Sequence, residues 1–132
     1  MAITYRCDYK PEVEQLINLY RSARLPRPLD DLPRMGNLQA HANLWITAWD
    51  ADRFVGVARS LTDFSWCCYL ADLAVCKDYQ HQGIGRELVA LTKQQVGSEC
   101  MVLLLSVQTA LDYYPKIGME AVPNGFILHR DE

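Results

Sequence analysis

Residues 73–88 read Leu-Ala-Val-Cys-Lys-Asp-Tyr-Gln-His-Gln-Gly-Ile-Gly-Arg-Glu-Leu. The apolar start of this stretch predicts a strand, and the polar middle with its two glycines, Gly83 and Gly85, predicts a loop that opens a helix. The first backbone amides of a helix lack an internal partner and carry the positive end of the helix dipole. Because glycines let a ligand come close to those amides, the stretch predicts a cradle for a phosphate or pyrophosphate. The alternative is that both glycines only permit a tight turn.

Two side chains at the rim of this loop suit the same ligand, since Gln80 offers an amide donor and Arg86 a positive charge. Two better-known phosphate loops are excluded. The chain has no Gly-Lys-Ser/Thr sequence for a nucleotide triphosphatase loop, and the full Gly-x-Gly-x-x-Gly fingerprint of a dinucleotide fold is missing. The stretch also lies in the middle of the chain, whereas a Rossmann unit would begin with it.

Outward from this loop, the pattern of apolar residues predicts a mixed α/β sheet flanked by helices. Apolar, β-prone runs predict strands at residues 3–7, 44–49, 54–61, 67–76, 101–106 and 126–129. Helical spacing predicts helices at residues 11–20, 30–42, 83–96 and 110–117. The order is β-α-α-β-β-β-α-β-α-β, and we expect the three consecutive strands to form an antiparallel meander. The continuous apolar run at 101–106 is typical of a strand buried on both faces.

The chain has 132 residues, which fits one compact domain spanning residues 1–132. Half of its residues are hydrophobic and 22% are charged, a globular balance that argues against disorder. Thirteen basic residues against sixteen acidic ones give a net charge of −3. Because a surface that tracks phosphates needs a basic excess, nucleic acid is not expected as a partner.

The five cysteines are an odd number, and the chain has neither a Cys-x-x-Cys pair nor closely spaced histidines. This usage is not typical of a disulfide framework or a zinc site, so no metal is expected. The apolar runs are too short to cross a bilayer, and the N-terminus lacks the apolar core of a signal peptide. We therefore expect a soluble, cytoplasmic protein without a membrane partner.

Two motifs resemble those of the GCN5-related N-acetyltransferases, the GNAT family. Gln80-His-Gln-Gly83-Ile-Gly85 is similar to the Gln/Arg-x-x-Gly-x-Gly/Ala signature, which in that family follows the strand that holds acetyl-coenzyme A (acetyl-CoA). Residues 110–119, Ala-Leu-Asp-Tyr-Tyr-Pro-Lys-Ile-Gly-Met, are similar to the Ala-x-x-Phe-Tyr-x-x-x-Gly-Phe segment. The element order also matches the family fold. The resemblance implies a GNAT-type mixed, mostly antiparallel central sheet flanked by helices.

The resemblance also implies acetyl-CoA as the co-substrate. The backbone of the strand before the loop would pair with the pantetheine arm, and the loop amides would take the pyrophosphate. The cofactor-binding residues implied in this way are Leu73, Ala74, Val75, Gln80, His81, Gln82, Gly83, Ile84, Gly85 and Arg86. One contact is not transferred, because Val107 and Gln108 stand where the family often has an asparagine that binds the cofactor arm.

Tyr114 stands where the family places a tyrosine beside the thioester sulfur. A hydroxyl donor there assists the departure of the thiolate, so the resemblance implies Tyr114 as the proton donor. The alternative for Tyr114 is a tyrosine of the core or the rim. The adjacent Tyr113 is expected to pack inward.

Asp72 is a carboxylate within an apolar strand, which is costly unless the group has a partner or faces a wet cleft. In the GNAT family, acidic side chains at this part of the strand line the amine site. The resemblance therefore implies Asp72 as the base or the amine anchor. The alternative is a structural ion pair, for instance with Arg59 on the neighbouring strand.

Together these features imply an N-acetyltransferase that moves the acetyl group of acetyl-CoA to a primary amine by direct attack. The acidic balance and Asp72 favour a cationic acceptor, either a small amine or a peptide amino group. The alternatives are a non-catalytic acyl-CoA-binding module and a partner-binding α/β domain without cofactor. The sheet edge left after Gly118 makes a homodimer possible.

Overall fold

The structure, a computed structural model, describes residues 2–131. Its centre is one five-stranded sheet with the strands in sequence order. The strands are β1 (Ile3–Arg6), β2 (Leu44–Asp50), β3 (Arg53–Thr62), β4 (Cys67–Val75) and β5 (Met101–Leu103). The helices are α1 (Val13–Ala23), α2 (Leu32–His41), α3 (Ile84–Val96) and the short α4 (Tyr113–Lys116). Neighbouring strands from β1 to β4 are antiparallel and β5 runs parallel to β4, so the predicted mixed, mostly antiparallel sheet is confirmed.

The first two helices begin where their sequences supply capping groups. The Gln15 side chain accepts a hydrogen bond from the Glu12 amide at the start of α1, at 2.8 Å. The Asp31 side chain accepts one from the Arg34 amide at the start of α2. Pro33 lies in the first turn of α2, where an amide hydrogen has no partner within the helix, so it does not interrupt the helix.

The helices cover opposite faces of the sheet. Gly56 of β3 faces α3 so closely that a Cβ there would lie 3.3 Å from the side chains of Ile84 and Leu88. Arg59 lies three residues further along β3 and therefore on the other face, where it donates to the Leu38 carbonyl of α2. The core thus has two layers, with α1 and α2 on one side of the sheet and α3 on the other.

β4 and β5 separate partway along their length. Their parallel pairing covers only residues 67–69 and 101–103. Beyond this pairing β4 continues to Val75, so the edge of its second half is open. The register between β3 and β4 also shifts by one residue next to Arg59, which leaves Ala71 as a bulge. The two features open a V-shaped cleft that starts beside Ala71.

The strand at the far edge of the sheet is shorter and more exposed than predicted. The strand predicted at residues 101–106 ends at Leu103, and Leu103 and Leu105 expose 37% and 63% of their surface. It is not buried on both faces, because Met101 and Leu103, which lie on the same face of β5, expose 53% and 37% of their surface.

The strand predicted at residues 126–129 is absent from the structure, in which these residues belong to no helix or strand. Phe126 and Leu128 are fully exposed. The prediction was wrong here because an apolar run has the composition of a strand but needs a neighbouring strand for its hydrogen bonds.

Three features expected from the sequence can be compared with the structure. Its five cysteines are free thiols. No helix among residues 2–131 is long and apolar enough to cross a membrane. The same residues hold no group of three or more His, Cys, Asp or Glu side chains that could bind a metal ion.

Candidate active site

A cavity of about 920 Å³ occupies the cleft between β4 and the segment that follows β5. The open half of β4 lines its length, and the loop before α3 forms one end together with the first turn of that helix. The residues that follow α1, including Arg27, line the other end, and α4 lines one side. A cavity of this size suits a small, elongated ligand.

The loop before α3 presents bare backbone amides at its end of the cavity. None of the amides from His81 to Arg86 donates a hydrogen bond to another group within residues 2–131. The first bond of the helix runs from the Glu87 amide to the Gly83 carbonyl, at 3.1 Å. Several unpaired donors therefore meet the positive end of the helix dipole, which is the arrangement that binds anions.

The two glycines of this loop have different roles. Gly83 adopts a left-handed φ of 86°, so the turn into α3 requires it. Gly85 has no positive φ, and a Cβ there would lie 2.8 Å from the hydroxyl oxygen of Tyr113. The tight-turn alternative therefore explains Gly83 but not Gly85, whose missing side chain leaves room for the Tyr113 hydroxyl.

Gln80 supports the loop instead of extending into the cradle as predicted. Its side-chain amide donates to the Val75 carbonyl at the end of β4, at 2.9 Å. The side chain folds back because this carbonyl lies at the open edge of the strand and has no strand partner. The bond fixes the point at which the loop leaves the sheet.

The open edge of β4 offers the backbone groups of alternate residues. The Cys76 amide donates to the Val55 carbonyl of β3 at 2.8 Å, and antiparallel pairing alternates along a strand. Ala74 therefore also bonds to β3, whereas the amides of Leu73 and Val75 point into the cleft. Of the three residues predicted to pair with the cofactor arm, Ala74 directs its backbone groups toward β3. Only its buried side chain contributes to the cavity, as part of the wall.

Tyr114 lines the cavity from α4 and is partly buried, and burial raises the pKa of its phenol. Tyr113 does not pack inward as predicted. Its hydroxyl lies over Gly85, and its ring meets the Tyr114 ring edge-on with centroids 5.1 Å apart. Successive residues of a helix project about 100° apart, so only one of the two rings can turn toward the interior.

Asp72 lies near the other end of the cleft and is buried, outside the cavity lining. Its Oδ1 accepts a hydrogen bond from Arg27 Nε at 2.6 Å. Its Oδ2 accepts one from Arg59 Nε at 2.5 Å and another from the Tyr20 hydroxyl at 2.7 Å. The ion pair with Arg59 that was the alternative is present. Because both carboxylate oxygens are engaged, the contacts favour a structural role over a base or an amine anchor.

The charges within this cluster determine the protonation states of Asp72 and Tyr20. Burial alone would raise the pKa of Asp72, but the hydrogen bond and charge of Arg59, with the charge of Arg27, lower it below its ordinary value. Burial and the Asp72 charge raise the pKa of Tyr20 well above its usual range. Asp72 is therefore ionised and Tyr20 neutral at neutral pH, and neither group exchanges a proton there.

The family model described as the acetyltransferase (GNAT) family matches residues 10–119. The matched range contains the cleft, the loop before α3 and the tyrosines of α4. The chain belongs to the GNAT acetyltransferase family. The resemblance implied by the two sequence motifs is confirmed.

Curated relatives of this GNAT chain match part of it. GCN5-related N-acetyltransferase 2, chloroplastic, of Arabidopsis thaliana is 31% identical over 78 residues, which are 55% of this chain and 29% of the relative. Histone acetyltransferase TAP1 of Glycine max is 28% identical over 78 residues, which are 55% of this chain and 32% of the relative. The chain thus spans about a third of the length of the curated relatives it matches.

Solved structures of GNAT proteins share the fold over nearly the whole chain. A GNAT family acetyltransferase from Streptococcus pneumoniae superposes with a TM-score of 0.77 at 23% identity, covering 99% of this chain and 100% of that one. An aminoglycoside N-acetyltransferase in complex with CoA superposes with a TM-score of 0.72 at 14% identity, covering 98% and 95% of the two chains. At these identities the similarity concerns the fold.

The family motifs do not include Arg27 or Tyr20, and sequence reasoning missed both. They reach Asp72 from 45 and 52 residues away along the chain. The signal at Arg27 is a basic residue between Pro26 and Pro28, in a segment that the sequence identifies only as a helix breaker. Since such a charge is usually solvated, only the fold shows that it meets a buried carboxylate.

Proposed function

We propose that the protein is an N-acetyltransferase that transfers the acetyl group of acetyl-CoA to a primary amine by direct attack. The observation that carries this proposal is the row of unpaired amides at residues 81–86, which lies at the end of an open strand edge. The amides suit a pyrophosphate and the edge suits an extended arm with amide groups, and CoA has these parts in that order. Relatives named as N-acetyltransferases and the structural neighbour that holds CoA support the same conclusion.

In this proposal the pyrophosphate accepts hydrogen bonds from the loop amides, and the Arg86 side chain adds charge at the rim. The amides are those of His81, Gln82, Gly83, Ile84, Gly85 and Arg86. The pantetheine arm pairs with the Val75 amide and the Leu73 carbonyl, which leaves the Leu73 amide free. Ala74 and Gln80 act indirectly, through the cavity wall and through the bond that anchors the loop. The thioester then lies beside the bulge at Ala71.

The amine must lose a proton before it attacks. An alkylammonium with a pKa like that of lysine is about 99.9% protonated at pH 7, so the neutral form costs about 4 to 5 kcal/mol. Asp72 is not suited to take this proton because both of its oxygens are engaged. We assign Asp72 to positioning Arg27 and the bulge, and water in the open cleft to accepting the proton.

Tyr114 donates a proton to the departing thiolate in this mechanism. A simple thiol has a pKa of about 8.5, so a nearby hydroxyl donor assists the departure of the thiolate. Because burial raises the pKa of Tyr114, its phenol carries the proton throughout the neutral range. The Leu73 amide is the first free donor of β4 after the bulge, and it binds the oxyanion of the tetrahedral intermediate.

The proposal is tested by following the release of free thiol from acetyl-CoA with a panel of primary amines, together with calorimetry of CoA binding. We expect CoA to bind and at least one amine to yield an N-acetyl product with an equal amount of thiol. Binding without transfer to any amine would favour the non-catalytic acyl-CoA-binding module. No binding at millimolar CoA would favour a partner-binding domain without cofactor.

The cytoplasmic location and the homodimer stay predictions. Within residues 2–131 the outer edge of β5 has no strand partner, so a second copy that pairs there would complete the sheet. Light scattering that gives the molar mass of two chains would support the dimer, and the mass of one chain would contradict it.

A further inference from the structure

The charged side chains that line the cavity are all basic. They are Arg24, Arg27, Arg86 and Lys116, and the described lining residues include no Asp or Glu. Arg86 belongs to the end of the cavity that suits a pyrophosphate. The cationic acceptor expected from Asp72 therefore meets no exposed carboxylate, because the Asp72 side chain is buried and paired with two arginines.

The cluster around Asp72 carries more positive than negative charge. Two guanidinium groups, Arg27 and Arg59, share the single carboxylate of Asp72, and Tyr20 is neutral. The side chains of Asp72 and Arg59 expose 0% and 6% of their surface, whereas Arg27 exposes 23%. The one excess positive charge is therefore presented to the cavity by Arg27.

Arg27 also has donors to spare. Its Nε donates to Asp72, its Nη1 to the Pro26 carbonyl at 2.6 Å, and its Nη2 to the Ala71 carbonyl at 2.9 Å. A guanidinium has five N–H groups, so one on each terminal nitrogen has no partner within residues 2–131. Two such N–H groups match the two oxygens of a carboxylate or phosphate.

The position of Arg27 separates it from the pyrophosphate end. It bonds to Ala71, the bulge where the cleft begins, and Ala71 lies four residues before Val75, which is about 13 Å along a strand. The loop amides lie beyond Val75. An anion at Arg27 is therefore a different group from the phosphates of CoA, and it lies beside the thioester.

We propose that the acceptor amine carries an anionic group, a carboxylate or a phosphate, and that Arg27 binds this group at the thioester end of the cleft. The inference rests on the proposed acetyl transfer to an amine and names the class of amine. It replaces the cationic acceptor expected from the sequence. Asp72 and the Ala71 carbonyl hold the guanidinium in place, so it is already oriented when the acceptor enters.

The inference is tested with pairs of acceptors that differ in the anionic group. Glycine is compared with glycinamide, and O-phosphoethanolamine with ethanolamine, in the thiol-release assay, with rates corrected for the fraction of neutral amine. We expect kcat/KM to be about tenfold or more higher for the anionic member of one pair. That pair identifies the anion as a carboxylate or a phosphate. Equal kcat/KM within both pairs would overturn the inference.

Two matched variants locate the effect. Arg27→Gln removes the excess charge but leaves Asp72 paired with Arg59, so the fold is expected to persist. We expect it to abolish the preference for the anionic acceptor without changing CoA affinity. Arg24→Gln removes an equal charge from the same cavity without touching the cluster, and it should keep the preference. If the preference for the anionic acceptor survives in Arg27→Gln, Arg27 only stabilises the fold and does not bind the acceptor.

A measurement of binding separates this inference from the proposed function. Propionate, propionamide and inorganic phosphate are titrated into the protein, with and without CoA, while the NMR resonance of the Arg27 Nε–H group is followed. A saturable shift with propionate or phosphate and none with propionamide is expected. No shift with either anion would overturn the anion site, whether or not the protein turns over acetyl-CoA. A shift with an anion, together with no CoA binding, would contradict the proposed function and leave the anion site standing.

Discussion

The two ends of the cleft between β4 and β5 present positive charge in different ways. At the loop end, consecutive residues from 81 to 86 offer backbone amides. At the end beside Ala71, Arg27, Arg59 and Asp72 come from three separate parts of the chain and act through their side chains. Most of the loop is exposed, whereas the carboxylate at the centre of the cluster is buried.

We expect this difference to separate substitutions that change the affinity for CoA from substitutions that change the free energy of unfolding. The loop end depends on the backbone conformation of a few residues, so a change there should alter the affinity for CoA and leave the free energy of unfolding nearly unchanged. The cluster joins α1, β3 and β4, so a change there should alter the free energy of unfolding first.

The largest effect is expected for Asp72→Asn. The substitution leaves Arg27 and Arg59 next to each other without a counter-charge, and removing one partner of a buried ion pair costs about 3 to 5 kcal/mol. The free energy of unfolding, measured by urea denaturation, should fall by about this amount.

Arg27→Gln is the matched control for that stability loss, since it leaves the neutral pair of Arg59 and Asp72 intact. It should lower the free energy of unfolding by only about 1 to 2 kcal/mol, through lost hydrogen bonds. If Asp72→Asn were as stable as the unmodified protein, the structural role of Asp72 would be wrong and Asp72 would return as a candidate base.

At the loop end, Gly85→Val should weaken CoA binding and preserve the fold. The new side chain enters the space between the first turn of α3 and the Tyr113 hydroxyl, which can move aside. Calorimetry should show a dissociation constant raised about tenfold or more, equivalent to about 1.4 kcal/mol. Gly36→Val is the control, because a Cβ at Gly36 meets no atom within 4 Å, and it should bind CoA normally. A large loss of stability in Gly85→Val with CoA affinity intact would contradict the separation of the two ends.

Tyr114→Phe should lower turnover without changing the affinity for CoA or the free energy of unfolding. Loss of the proton donor is expected to lower kcat by about tenfold or more, with CoA affinity little changed. Tyr113→Phe serves as the control, since its hydroxyl lies over Gly85, and it should retain most of the kcat. An unchanged kcat in Tyr114→Phe would remove this residue from the mechanism.

The smallest effect concerns acid stability. The pKa of Asp72 is lower in the folded protein than its ordinary value, because Arg59 and Arg27 outweigh burial. Its contribution is therefore complete above the unfolded pKa of about 3.9, and it is lost as the pH falls through the lower folded value. Urea unfolding at several pH values should show a steeper loss below about pH 4 for the unmodified protein than for Asp72→Asn. Parallel pH profiles would contradict the lowered pKa.

The loop end could be predicted from the sequence because its information is local. Gly83 and Gly85 lie two residues apart at a strand-to-helix transition, and the unpaired amides follow from the helix start alone. The antiparallel strands could be predicted for a similar reason. The alternation of apolar and polar residues and the turn residues between the strands lie within a few positions of each other.

The end of the cleft beside Ala71 could not be predicted in the same way. Arg27 and Tyr20 meet Asp72 only after three elements have assembled, and no spacing rule connects residues so far apart in the chain. The sequence pattern at Asp72 indicates a buried carboxylate that needs a partner, and Arg59 is the partner that it suggests. The pattern does not reveal a second arginine. The wrong strand prediction at residues 126–129 has the same cause, because pairing depends on a neighbouring strand that composition does not specify.

In the proposed mechanism the amides of residues 81–86 bind the pyrophosphate of CoA. The most direct measurement is a titration of CoA into 15N-labelled protein, with the backbone amide resonances followed by NMR. We expect saturable shifts that are largest at Gly83, Ile84, Gly85 and Arg86, with smaller ones at Leu73 and Val75. No shift at millimolar CoA, or shifts concentrated away from this loop, would contradict the claim.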